Sequence, residues 1–202
     1  MISLDALAAA EKNTLQSMAE RLSAEELDAL VPVLSDTDDK RRYASFLVLQ
    51  HRSRISDDLY RYWALFEEKL GSPNSYQRSL GLMLLAANTK WDTDAKFEAL
   101  FDAYCALLDD EKPITVRQCI QSFAEIIPYK PALRDAIAAR LMAVDIGSAK
   151  ETMRKLLLTD ILTNLILIRK EKASDVIDAY LSDAFTGGIL DNKAKKAFQA
   201  LL

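Results

Sequence analysis

Four arginines, Arg42, Arg78, Arg117 and Arg154, each open a long apolar run, and successive members are 36, 39 and 37 residues apart. A self-similar period of that size points to an array of stacked helix pairs rather than a bundle wrapped round one core. Between these points apolar residues fall at helical spacing almost everywhere. In "LDALAAAEKNTLQSMAERL", Leu4, Leu7, Leu15, Met18 and Leu22 lie close to one stripe. "SAEELDALVPVL" then opens with Ser23 and Glu26, the S-x-x-E pattern in which each side chain caps a free N–H at the other's position. Pro32 is expected to bend or shorten that helix.

Further helices are predicted at about 39–53, 57–70, 74–88, 94–108, 114–127, 131–143, 150–168, 173–185 and 191–201. The breaks between them carry turn chemistry: "GSPNS", "DDEKP", "PYKP" and "FTGG". Strand-like alternation is absent, and five Gly and five Pro leave little material for the tight turns of an all-β fold. The expected class is all-α.

Aligned on the arginines, the chain reads as four copies. Each has a helix ending in apolar residues ("LVPVL", "FEEKL", "YCALL", "RLMAV"), a polar turn, then the arginine and a second apolar helix ("YASFLVLQ", "SLGLMLLA", "QCIQSFAE", "KLLLTDIL"). This pattern resembles the HEAT-repeat (armadillo-like) family of α-solenoids, most clearly at "LSDTDDKRRYASFLVL" and "LLDDEKPITVRQCIQSFAEI". Asp36, Asp39, Asp109 and Asp110 stand where that family often has an acidic turn residue, whereas the second copy has Ser72 and Asn74. The resemblance implies one right-handed α-α superhelix of about five helix pairs over residues 1–202. Residues 1–22 would be an N-terminal capping helix, 24–170 four repeats, and 173–202 a degenerate C-terminal pair. The four arginines are read as structural joints that can reach a turn carboxylate of their own or an adjacent copy, in a ladder left incomplete at the second copy.

The totals narrow the function. A formal charge of −4 and a pI near 5.2 argue against broad attraction to nucleic acid or anionic membrane. The first residues lack a basic n-region, and no apolar stretch approaches the roughly 18 residues of a membrane span. The expectation is a soluble, cytoplasmic protein whose Cys105 and Cys119 are reduced, buried thiols. His51 is the single histidine, beside Arg52 and Arg54 at a helix end, and reads as a surface residue. No zinc site can be built on imidazoles, no Gly-rich phosphate cradle is present, and "DTDDK" lacks the Gly and terminal Glu of a calcium loop. No metal or cofactor is expected, and no catalytic residue is assigned. In "YRYWALF", spacing puts Trp63 and Phe66 in the core and Tyr60 and Tyr62 at its edges. Trp91 either caps the core or stands exposed.

In the family it resembles, the second helix of each pair lines a concave binding face. Offsets of one, five and eight residues after each arginine then select Tyr43, Leu47 and Gln50; Ser79, Met83 and Ala86; Gln118, Ser122 and Glu125; and Lys155, Thr159 and Leu162. This row holds a single lysine, where duplex DNA binding needs several cations facing phosphates. Tyr, Leu and Met among small polar groups better suit a helix or peptide of another protein. The expected function is therefore a non-catalytic protein-binding scaffold or adaptor. The alternative is a HEAT-like DNA-binding protein or alkylpurine DNA glycosylase, with Trp63, Trp91 and Asp92 as imaginable participants.

Overall fold

The computed structural model describes residues 3–202, and among these every regular element is helical. The chain divides into two compact units, residues 1–101 and 102–202.

The first unit begins with α1 (Leu4–Ala9) and α2 (Lys12–Ala19). The single capping helix expected over residues 1–22 is therefore two helices, with Ala10 and Glu11 in extended conformation between them; Met1 and Ile2 lie outside the described residues. The break has a packing reason. Leu7 and Leu15 are both buried, and bending the chain lets both short helices lie against the same partner, α4 (Asp39–Ile55). α3 (Ala24–Leu30) starts at Ser23 with the expected reciprocal cap: Ser23 Oγ accepts from the Glu26 N–H, and a Glu26 carboxylate oxygen accepts from the Ser23 N–H. Pro32 shortens this helix, which gives way to a 3-10 turn over Pro32–Ser35. Asp38 caps α4 by accepting from the N–H groups of Lys40 and Arg41, so "DTDDK" is a helix-opening turn.

The helix expected over 57–70 is a short α5 (Trp63–Glu68) between 3-10 turns at Tyr60–Tyr62 and Lys69–Gly71. α6 (Ser75–Asn88) packs on both α4 and α5. It is enclosed nearly all round: Leu80, Leu82, Leu84 and Leu85 are at most 1% exposed. Each such leucine contributes roughly 1.5–3 kcal/mol of burial. Small residues let α6 sit this deep. At Gly81, a Cβ would lie 2.6 Å from the Phe66 carbonyl oxygen and 2.8 Å from Lys69 Cβ, so only glycine permits this approach to α5 and the turn after it.

The boundary between the units falls inside α7 (Lys96–Cys105), which is why no linker or composition shift marks it. In the second unit α8 (Pro113–Ile126) and α9 (Arg134–Met142) pack on α10 (Glu151–Glu171), with α11 (Asp175–Thr186) against α10 as well. α12 (Asn192–Gln199) closes the chain and buries Phe198. Tyr104 and Phe123 meet edge to face at 5.5 Å in this unit's core. No described helix is long and apolar enough to cross a membrane.

Candidate functional site

The arginine-led helices are α4 and α6 in the first unit and α8 and α10 in the second, and they carry the residues selected from sequence. Their starts are held by the arginines, in more ways than the expected arginine–carboxylate pairing. Arg42 donates to the Asp36 carbonyl oxygen at 2.6 Å, pairs with the Asp39 carboxylate, and lays its guanidinium 4.4 Å over the Tyr76 ring of α6. Arg78 donates to the carbonyl oxygens of Ser72 (2.8 Å) and Pro73 (3.2 Å), and Arg154 donates to that of Ala149 (2.9 Å). Arg117 departs from the pattern. Its Nε donates to Asp160 on α10 at 2.7 Å, and Gln121 donates to the same carboxylate. Arg78, in the copy whose turn carries Ser72 and Asn74, and Arg154 thus reach backbone carbonyl oxygens of their own turns, and Arg117 reaches a carboxylate on the following arginine-led helix. Asp110 accepts from the Lys112 N–H at 2.8 Å within its own turn.

Two buried asparagines, which the sequence reading passed over, join the helices of each pair. Asn88 on α6 is fully buried, and its Nδ2 donates to Ser53 Oγ on α4 (2.9 Å) and to the Leu84 carbonyl oxygen (2.8 Å). Asn164 on α10 is 1% exposed and donates to the carbonyl oxygens of Ile120 on α8 (2.8 Å) and Asp160 (2.9 Å). The Oδ1 of each is enclosed without a partner.

The residues selected for the exposed row separate into three groups. Tyr43 is 52% exposed, and its ring leans on buried Phe46. Leu47, Gln50 and Met83 are half-buried in the first unit, as are Gln118, Glu125 and Thr159 in the second. Lys155 is exposed and bonded to Asp191. Ser79, Ser122, Ala86 and Leu162 are buried and do not belong to a surface row. The offsets assume a helix with one solvent face. α6 is enclosed along most of its length, and Ser122 turns inward to hydrogen-bond Tyr104.

Trp63 and Phe66 are buried, with Tyr60 and Tyr62 at the edge, as spacing predicts. Trp91 is half-buried and donates to the Ser53 carbonyl oxygen at 2.6 Å. Asp92 is committed as the cap of α7: it accepts from the N–H groups of Lys96 (3.0 Å) and Phe97 (2.8 Å) and from the Tyr60 hydroxyl (2.7 Å). Burial, then the neighbouring Asp92, holds that hydroxyl protonated well above the usual tyrosine range. Trp63 is thus enclosed, and the Asp92 carboxylate accepts from three donors.

His51 is half-buried rather than a plain surface residue, with Nε2 enclosed and unpartnered. Cys105 and Cys119 are free and buried. Burial pushes the Cys105 thiol up to about 12 and Cys119 well above its ordinary range, which leaves neither as a nucleophile near neutral pH. Among the described residues no three His, Cys, Asp or Glu side chains gather as metal ligands. Comparison with protein-family models, with curated proteins and with solved structures finds no match for this chain.

Proposed function

We propose that this chain is a non-catalytic, HEAT-like scaffold or adaptor that works in the cytoplasm. In this reading its arginine-led helices stack into one right-handed α-solenoid, and their exposed residues bind a helix or peptide of another protein. The observation that carries the reading is the composition of the exposed row. Exposed Tyr43 and half-buried Leu47 and Met83 offer aromatic and aliphatic contact beside the half-buried amide of Gln50, and the row's one lysine, Lys155, already has a carboxylate partner. Such a surface gains affinity by burying a partner's apolar side chains and has little with which to neutralise phosphates.

Affinity capture of the tagged chain from a lysate of its own source, with and without nuclease, tests this directly. The expected result is a defined protein that survives nuclease and is lost from Tyr43→Asp and Met83→Asp variants. Capture of nucleic acid, or loss of every partner after nuclease, would overturn the scaffold reading in favour of the DNA-directed alternative. Small-angle scattering tests the architecture separately. A compact 202-residue domain has a radius of gyration of about 17 Å, and a superhelix must exceed it clearly.

A further inference from the structure

α1 and α2 both lie against α4, but they are held there very differently. Arg41 and Arg52, about three helical turns apart on α4, make the two attachments. Arg52 ties down the end of α2 by donating to the carbonyl oxygens of Ala19 (3.1 Å) and Glu20 (3.2 Å). Its guanidinium is braced in turn by Asp58, and both of these side chains are largely enclosed. Arg41 ties down α1 through one carboxylate oxygen of Asp5, 3.0 Å from Nε and 2.5 Å from Nη2. That pair stands in solvent, with side chains 37% and 79% exposed, and exposed pairs add little stability.

Little else holds α1. It is six residues long, where an isolated helix needs roughly 12–15 to be stable in water. Leu7 is fully buried and Leu4 half-buried. Extended Ala10 and Glu11 separate it from α2, so α1 can leave without unwinding its neighbour. The fit beneath is also incomplete. Helical spacing puts Ser45 one turn beyond Arg41 on the same face of α4, and its Oγ is enclosed without a partner. An enclosed, unpaired hydroxyl is a cost that a better-matched segment removes. The charges nearby set the chemistry of that segment. Lys40, Arg41 and Arg42 balance Asp36, Asp38 and Asp39, and all three carboxylates are engaged: Asp36 with the Asp38 N–H, Asp38 with the N–H groups of Lys40 and Arg41, and Asp39 with Arg42. The Arg41 guanidinium is therefore left for an incoming carboxylate, the place Asp5 now takes.

We infer that α1 is a detachable strap occupying, and so blocking, a docking groove along the first half of α4. The groove takes an amphipathic segment of a partner protein that sets a carboxylate on Arg41, an apolar side chain where Leu7 sits and a polar group at Ser45. Arg41 and Ser45 lie on a different side of α4 from Tyr43, Leu47 and Gln50, so failure of the strap leaves the scaffold reading standing.

The test is amide ¹⁵N NMR of the full chain, by hydrogen exchange and then by titration with a blocked peptide of residues 3–10. The Leu7 and Leu15 amides make matched bonds, to the Ser3 and Glu11 carbonyl oxygens, so they compare the two helices directly. In the parent chain Leu7 is expected to exchange at least tenfold faster than Leu15. Leu7→Asp releases α1 and leaves the Ala19 and Arg52 amides at their parent positions. The peptide then binds this variant saturably, shifting residues 41–48, and binds the parent at least tenfold more weakly because α1 fills the groove. A peptide carrying Asp5→Asn binds the variant at least threefold more weakly than the unaltered one. The inference is overturned by equal exchange of Leu7 and Leu15, or by shifts spreading through α2 and α4 when α1 is released. It is equally overturned by no binding to the variant, by equal binding to variant and parent, or by equal binding of the Asp5→Asn peptide.

Discussion

Replacing Asn164 by Asp is a nearly isosteric change with a calculable, pH-dependent cost. The Asn164 Nδ2 supplies two hydrogen bonds, to the carbonyl oxygens of Ile120 and Asp160, and both acceptors lack a proton to return. An ionised carboxylate there faces two carbonyl oxygens at a position 1% exposed to solvent. Its folded-state pKa must therefore rise above the unfolded value of about 3.9, by roughly 3 units for a site this buried. The sign follows from proton counting. Between the two pKa values the folded chain binds more protons than the unfolded one, so stability falls as pH rises. With a folded pKa near 7, the ionisation penalty is about 1.5 kcal/mol at pH 5 and about 3.7 kcal/mol at pH 7. Loss of one donor adds about 1 kcal/mol at either pH. Urea unfolding followed by circular dichroism at the two pH values, against the parent chain, should show a differential loss of about 2 kcal/mol. The matching Asn88→Asp change should show a smaller pH dependence, because the Ser53 hydroxyl, now donating to Leu49, can swing to donate to the carboxylate. A pH difference below about 0.5 kcal/mol for Asn164→Asp would refute the dry, acceptor-lined seam on which this prediction rests.

Two further changes probe packing and reactivity. Gly81→Ala puts a methyl group 2.6 Å from a backbone oxygen that cannot move without shifting α5, and should cost about 2–4 kcal/mol; a thermal melt within 1 °C of the parent's would contradict it. Cys105 and Cys119, buried with raised thiol pKa values, should resist a thiol-specific chromophoric reagent at pH 8 and react fully in denaturant, and rapid native labelling of either would show its helix opening.

Most of the secondary structure was legible because turn chemistry and apolar periodicity agree. Asp38, Ser23 and Pro32 do at their helix ends what their residue types dictate. The break at Ala10 and Glu11 was not legible, since Leu7 and Leu15 read as one stripe and only their common partner α4 separates them into two helices. The exposed row was half legible. A fixed offset from each arginine finds Tyr43 and Lys155, but it cannot tell that α6 has neighbours around most of its circumference, except through the small residues in "SLGLMLLAANT". The hydrogen bonds of Lys69 to Ser35 and Gln77 left no local signal, since these partners lie 34 residues before it and 8 after and no spacing rule joins them.

The arginine period of about 37 residues also conceals a longer one. Asn88 and Asn164 each fall ten residues after an arginine, yet the other two arginines have Arg52 and Ile127 at that offset. The asparagines are 76 residues apart, and Arg42 and Arg117 are 75 apart. The contacts follow the same doubling: Arg42 and Arg117 both reach the next arginine-led helix of their own unit, one through the Tyr76 ring and the other through the Asp160 carboxylate. Each compact unit therefore holds one seam, tied near its start by an arginine and deeper in by a buried amide. A seam made only of leucines tolerates sliding by a helical turn, because any apolar contact replaces another at little cost. A buried amide does not, because two donors moved off their acceptors cost about 1–3 kcal/mol each. On this argument the arginines locate the helices along the chain, while Asn88 and Asn164 fix how deeply each pair engages.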